Sequence, residues 1–91
     1  MKELEDKAKT DLLNLYKRIL ILNDDALIED EAKKVYNEYV AAKSLLSEKI
    51  MNFVGQLFPF AYPNSKSGLK KPSKNEIKEI IDELMNKNDI S

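Results

Sequence analysis

The side chains that most enzymes use for catalysis are largely missing from this sequence. Its 91 residues contain no His and no Cys, so the commonest transition-metal ligands, general bases and activated thiols are absent. Carboxylates, lysines and hydroxyls remain. Gly55 and Gly68 are the only glycines, and neither has the strand-to-helix setting of a phosphate-binding loop. We therefore expect no enzymatic activity, no cofactor, no metal and no small-molecule substrate.

A cluster of acids is the first arrangement that suggests chemistry. Its members are Asp24, Asp25, Glu29, Asp30 and Glu31. A paired-acid or divalent-ion site is one interpretation. The structural interpretation is that carboxylates gather around a helix start because the helix dipole favours negative charge there. We favour the structural interpretation.

A basic segment is the second such arrangement. From Leu57 to Asn75 the sequence carries Lys66, Lys70, Lys71 and Lys74 and no acid, although the net charge of the chain is −1. Phosphate contacts with nucleic acid or anionic lipid, contact with a partner protein, and a merely solvated loop are the alternatives. Four lysines without an arginine, in an otherwise acidic chain, are a weak footprint for nucleic acid. We expect no nucleic-acid partner.

Aromatic residues are concentrated just before the basic segment, at Phe53, Phe58, Phe60 and Tyr62. Their simplest role is to fill space between the third helix and its neighbours. A surface role for Phe60 or Tyr62 beside the lysines is the alternative. Three further tyrosines, Tyr16, Tyr36 and Tyr39, are interpreted as residues at the edge of the core with hydrated hydroxyls.

Apolar residues recur every three or four positions in four segments, which is the period of an amphipathic α-helix. The predicted helices span about 3–22, 25–43, 46–60 and 74–87, and the third has the broadest apolar face, typical of a central helix. Their predicted core residues are Leu4, Ala8, Leu12, Leu15, Ile19 and Leu22; Ile28, Ala32, Val35, Tyr39, Ala42 and Leu46; Ile50, Phe53, Val54, Leu57 and Phe58; and Ile77, Ile80, Ile81 and Leu84. The links are mostly short, which predicts an all-α single domain over residues 1–91, an antiparallel four-helix bundle.

The helix boundaries rest on capping and breaking residues. Asp24 and its neighbours predict the start of the second helix, and Ser44 or Ser47 that of the third. Ser73 and Glu76 form an S-x-x-E capping box before the last helix. Pro59 must end or kink the third helix because proline lacks an N–H and clashes with the carbonyl four residues earlier. Residues 63–72 have the composition of a solvated loop.

The composition also bears on where the chain works. Hydrophobic residues make up 43% and charged residues 34%, a balance that permits a folded core. The charged N-terminal residues 1–11 lack the apolar segment of a secretory signal, and the apolar stretch 50–62 is too short to span a bilayer. Without cysteines for disulfides, we expect a cytoplasmic protein.

The order of these elements resembles the immunity proteins of pediocin-like (class IIa) bacteriocins, especially the enterocin A immunity group. The resemblance runs from about Asp11 to Asn86. It is carried by the segments Leu-Leu-Asn-Leu-Tyr at 12–16, Val-Tyr-Asn-Glu-Tyr at 35–39, Ile-Met-Asn-Phe-Val at 50–54 and Phe-Pro-Phe-Ala-Tyr at 58–62, followed by the basic loop and the last helix. Pro59 and Pro63 depart from the pattern, because this segment is expected to be helical in relatives.

The resemblance implies an antiparallel four-helix bundle in the cytoplasm of the producing bacterium, and no catalysis. It implies protection of the host cell by recognition of a membrane receptor, the mannose phosphotransferase permease, once a bacteriocin has engaged it. Transient contact with the inner face of the membrane fits this role. In the family the C-terminal half largely decides which bacteriocin is countered. The corresponding candidate partner-binding residues here are Tyr62, Lys66, Leu69, Lys70, Lys71 and Lys74. The alternative is a small helical adaptor or regulator that binds another protein or nucleic acid.

Overall fold

A computed structural model describes residues 2–22, 24–65 and 70–85. The predicted all-helical class is confirmed, since all regular secondary structure within these residues is helical and none of them forms a strand. The elements are α1 (Lys2–Ile21), α2 (Asp25–Ala41), a short 3-10 turn (Lys43–Leu45), α3 (Glu48–Gly55), α4 (Phe58–Ala61) and α5 (Lys74–Met85). The predicted first and second helices therefore match α1 and α2 to within two residues. The predicted last two residues of the fourth helix, 86 and 87, lie outside the described residues.

Three predicted helix caps are confirmed by their hydrogen bonds. Asp24 accepts the N–H of Leu27 at 3.1 Å, at the start of α2. At the start of α3 the cap is Ser47, whose hydroxyl accepts the N–H of Ile50. The capping box of α5 is complete, with the Ser73 N–H donating to Glu76 at 3.0 Å and the Glu76 N–H donating to Ser73 at 3.2 Å. Local side-chain chemistry thus sets these three helix starts.

The prediction of one third helix over 46–60 is wrong. The helix begins at Glu48, ends at Gly55 and is followed by the separate single turn α4. Continuation past Gly55 would bring the Pro59 ring against the Gly55 carbonyl, four residues earlier. The chain instead tightens, so that the N–H of Leu57 bonds to the Val54 carbonyl at 3.0 Å. Pro59 then falls in the first turn of α4, where its missing N–H leaves no helical bond unmade.

The helices pack around α1 and α2. The main contacts of α1 are with α2, α3 and α5, whereas α2 also contacts α3 and α4. The most extensive contacts therefore involve α1 and α2, and α3, which was predicted to be central from its apolar face, packs against both of them. The buried residues at the centre are Ala8, Leu12, Leu15, Tyr16, Ile19, Ile28, Ala32, Tyr39, Ile50, Phe53, Val54, Leu57, Phe60, Ala61, Ile77, Ile80 and Ile81.

Tyr16 lies inside this core, which corrects the interpretation of its hydroxyl as hydrated. The side chain is fully buried, and the hydroxyl donates to the main-chain carbonyl of Phe53 at 2.6 Å. The usual helical donor to that carbonyl, the N–H of Leu57, bonds to Val54 instead. Burial also raises the pKa of Tyr16 well above its ordinary value. Tyr16 on α1 thus satisfies a carbonyl that the break after α3 leaves without its helical partner.

Tyr39 confirms its place among the predicted core residues of the second helix, whereas the prediction of a hydrated hydroxyl is wrong. It is fully buried, and its hydroxyl donates to Asp11 on α1. Lys7 donates to Glu38 at 2.6 Å and lies 3.6 Å from Asp11. These contacts link the first half of α1 to the second half of α2, where the two helices also share the apolar core. Burial, reinforced by the bond to Asp11, raises the pKa of Tyr39 to about 12.

We expect the protein to lose stability in alkaline solution. A tyrosine whose pKa is raised by folding adds stability that is fully present below the unfolded pKa of about 10 and is lost as the pH rises through the folded value. The melting temperature of wild-type protein should therefore be level near pH 9 and fall as the pH approaches the value of about 12 for Tyr39. Circular dichroism melts across this range measure it. Tyr39→Phe should make the decline shallower, and a decline of equal slope in both proteins would contradict the assignment to Tyr39.

Candidate partner-binding surface

The basic segment leads directly into α5. Lys70, Lys71 and Lys74 are exposed, and Lys74 is the first residue of the helix. The other two candidates, Lys66 and Leu69, lie outside the described residues. The part of the segment that the structure describes therefore presents three cations to solvent beside the Ser73 cap.

Tyr62 lies against α2. Its hydroxyl is 3.1 Å from the Asn37 side-chain oxygen, and its ring contacts the rings of Tyr36 and Phe58. Lys33 places its Nζ 5.5 Å from the centre of the same ring. Tyr62 therefore helps to fasten the end of α4 to α2 and does not share a groove with Lys70 or Lys71. For Tyr62 the space-filling role is the one that these contacts support.

The other aromatic candidate for a surface role, Phe60, is buried. It nevertheless meets the basic segment, because the Lys71 Nζ lies 5.8 Å from the centre of its ring. Such a cation–π contact restrains the lysine while leaving its charge available to solvent. Lys71 is thus partly held in place by the core, whereas no such ring contact involves Lys70 in the described structure.

An open groove of about 570 Å³ lies between α3 and the segment that leads into α5. One wall consists of Met51, Asn52, Gly55, Gln56 and Pro59, and the other of Lys70, Lys71, Pro72 and Glu76. The lysines thus belong to a concave surface as well as to a loop. Its α3 wall was not predicted, although Asn52, Gly55 and Gln56 stand out as non-apolar residues at helical spacing beside the core face.

Glu76 puts a negative charge into this otherwise basic surface. One of its carboxylate oxygens accepts the Ser73 N–H at 3.0 Å. Hydrogen bonds from the Ser73 backbone and side chain lower the pKa of Glu76 below its ordinary value. Glu76 is therefore ionised at neutral pH. The groove combines two cations with one anion, and this combination limits which ligands suit it.

Three of the five acids in the cluster near the start of α2 have structural contacts. Asp24 caps the helix, Glu29 accepts from Lys33 at 3.0 Å and Glu31 pairs with Arg18 at 2.5 Å. Among residues 2–22, 24–65 and 70–85, no group of three potential ligands is placed to hold a metal ion. For Asp24, Glu29 and Glu31, these contacts support the structural interpretation.

The described helices also bear on the relation to membranes. None of those within the described ranges combines the length and apolar character needed to cross a bilayer.

Comparisons with protein-family models, with curated proteins and with solved structures give no match to this chain.

Proposed function

We propose that this chain is a bacteriocin immunity protein. In this proposal it protects a producing cell from the cytoplasm, by recognising the mannose phosphotransferase permease at the inner membrane face when a bacteriocin is bound to it. The protein acts by binding and not by catalysis. The observation that carries the proposal is the exposed basic segment at Lys70, Lys71 and Lys74, two of whose lysines line a groove, in a protein whose described regular structure is all helical.

The same proposal includes the finer architecture. We infer an antiparallel four-helix bundle in which α3 and α4 together take the place of the third helix. The contacts of α1 with α5 and of α2 with α4 are compatible with that arrangement. It supports the functional proposal because the resemblance of segments 12–16, 35–39, 50–54 and 58–62 to the immunity proteins implies the same bundle.

Electrostatics supports an approach to the membrane with the basic segment leading. Acids outnumber bases in residues 1–31, whereas the charged residues of 57–75 are all bases. The cytoplasmic leaflet is negatively charged and attracts lysines near its surface. Four lysines give only a modest attraction, so specificity has to come from short-range contacts with the receptor.

The proposal is tested by expressing the chain in the cytoplasm of a sensitive strain and challenging the cells with a panel of pediocin-like bacteriocins. Survival against one or a few members, relative to an empty vector, is the expected result. Failure of protection across the panel, with folded helical protein confirmed in the cells, would contradict immunity and favour the helical adaptor.

Reversing the charge of Lys66, Lys70 and Lys71 to Glu is expected to abolish this protection without unfolding the protein. The described lysines of the set are exposed, so their replacement leaves the core intact. Survival of challenged cells measures protection, and circular dichroism of the purified variant measures folding. A triple Glu replacement at Lys9, Lys17 and Lys34, on α1 and α2, is the matched control. If the variant of the basic segment protects cells as well as the control variant does, the basic segment is excluded from the mechanism.

A further inference from the structure

The groove between α3 and residues 70–76 has the features of a peptide-binding site. We propose that it binds a short segment of a partner protein in which an apolar side chain is adjacent to a carboxylate. This inference rests on the proposed function, because it takes the partner to be a protein. It adds the chemistry of the segment that is recognised.

The floor of the groove is apolar and its rim is polar. Pro59 is buried, and Met51 and Pro72 are half-buried, whereas Asn52 and Lys70 on the rim are exposed. A volume of about 570 Å³ falls within the range of about 300–1,000 Å³ that ligand pockets usually have. An apolar side chain of the partner would be shielded from water between Met51 and the two prolines.

Gly55 keeps the groove open on the side of α3. A Cβ atom added there would meet no other atom within 4 Å, so the space above the glycine is free. The absence of a side chain allows a ligand backbone to come close to the helix. Core packing does not demand a glycine at this position, because the side chain of any other residue would extend into the groove and not into the core.

Two side-chain amides favour a peptide over other ligands. Asn52 and Gln56 are separated by one helical turn and both line the groove. Each amide offers N–H donors and an oxygen acceptor, which matches the alternating N–H and C=O groups of a peptide backbone. A lipid phosphate presents acceptors only and would leave the amide oxygens without donors.

The charges select a carboxylate over a multiply charged phosphate. Lys70 and Lys71 attract an anion, and the Phe60 ring restrains the Lys71 ammonium near the groove. Glu76, ionised at neutral pH, lies in the same wall and repels additional negative charge. A single carboxylate can pair with the lysines at the rim. A second or third negative charge on the ligand would add less binding energy, because Glu76 repels it.

The inference is tested by selecting peptides of roughly twelve residues from a random display library on the immobilised full-length protein. The expected peptides carry Asp or Glu next to an apolar residue. Their affinity should fall by about tenfold or more for Gly55→Leu, which fills the groove, and for Lys70→Glu with Lys71→Glu, which reverses the rim charge. Lys34→Glu, on α2 and outside the groove, is the matched control and should bind as wild type.

Gly55→Leu separates binding from folding. The new side chain enters free space and replaces a helical glycine, so the melting temperature should be unchanged or higher. Selected peptides that bind Gly55→Leu as tightly as wild type would overturn the proposal. It would also be overturned by a selection that enriches nothing or enriches peptides without acids.

The immunity proposal and the groove proposal fail in different ways. Peptide binding that depends on Gly55, in a protein that gives no protection, supports the groove and refutes immunity. Full protection by a Gly55→Leu variant, in cells that contain it folded, would refute the groove as the contact used and leave immunity standing.

Discussion

Replacement of Ile80 by Asp is expected to unfold the protein. Ile80 lies on the inner face of α5, where its side chain is 5% exposed and belongs to the central core. Loss of a buried Ile side chain costs about 2–5 kcal/mol. Burial of an unpaired carboxylate adds several kcal/mol more, because none of the buried side chains of the described core is charged and so none can pair with it.

Together these losses approach the whole free energy of unfolding of a domain of this size, about 5–10 kcal/mol. Far-UV circular dichroism at 25 °C should show loss of most of the helical signal. Lys78→Asp, on the exposed face of the same helix, is the matched control and should melt cooperatively near the wild-type temperature. A similarly normal melt for Ile80→Asp would show that α5 is not docked against α1 as described.

Removal of the Tyr16 hydroxyl, in the variant Tyr16→Phe, is expected to give the second large loss of stability. The Phe53 carbonyl would lose the donor that lies 2.6 Å from it, inside a fully buried site. An unsatisfied buried acceptor costs about 1–3 kcal/mol. Since about 1 kcal/mol lowers the melting temperature of a domain this size by roughly 4–8 °C, thermal melts resolve the effect.

Tyr36→Phe is the control for this variant. Tyr36 is half-buried, and its ring packs against Phe58 and Tyr62. Because the ring remains in the variant, the change in unfolding free energy should stay within about 0.5 kcal/mol. Equal melting temperatures for Tyr16→Phe and wild type would mean that the Phe53 carbonyl finds another donor, and that Tyr16 does not hold α1 to the end of α3.

The break between α3 and α4 shows which structural features the local sequence predicts and which it does not. Pro59 predicts an interruption, and the clash with the carbonyl four residues earlier explains why the helix ends at Gly55. No local rule says how the freed Phe53 carbonyl is satisfied. Its donor comes from Tyr16, 37 residues earlier in the chain, and that pairing exists only because α1 packs against α3.

The surroundings of the basic segment were likewise predictable only in part. Lys70, Lys71 and Lys74 are exposed, as expected for a polar segment without acids. Tyr62 is close to them in the sequence, yet it lies against α2 and bonds to Asn37. Nothing in the sequence places Asn52, Gly55 and Gln56 beside the lysines, because a groove between α3 and residues 70–76 depends on where the last segment crosses the third helix.

The helical class, the helix starts near Asp24 and at Ser73, and the lack of His and Cys chemistry could all be predicted from the sequence. These features follow from residue type and from interactions within one or two helical turns. Only the folded structure shows which partners the Tyr16 and Tyr39 hydroxyls bind, and that two lysines share a groove with the amides of Asn52 and Gln56. Such features require contacts between residues that are far apart in the chain. Helical periodicity predicts which face of a helix is apolar, but it does not predict which other helix packs against that face.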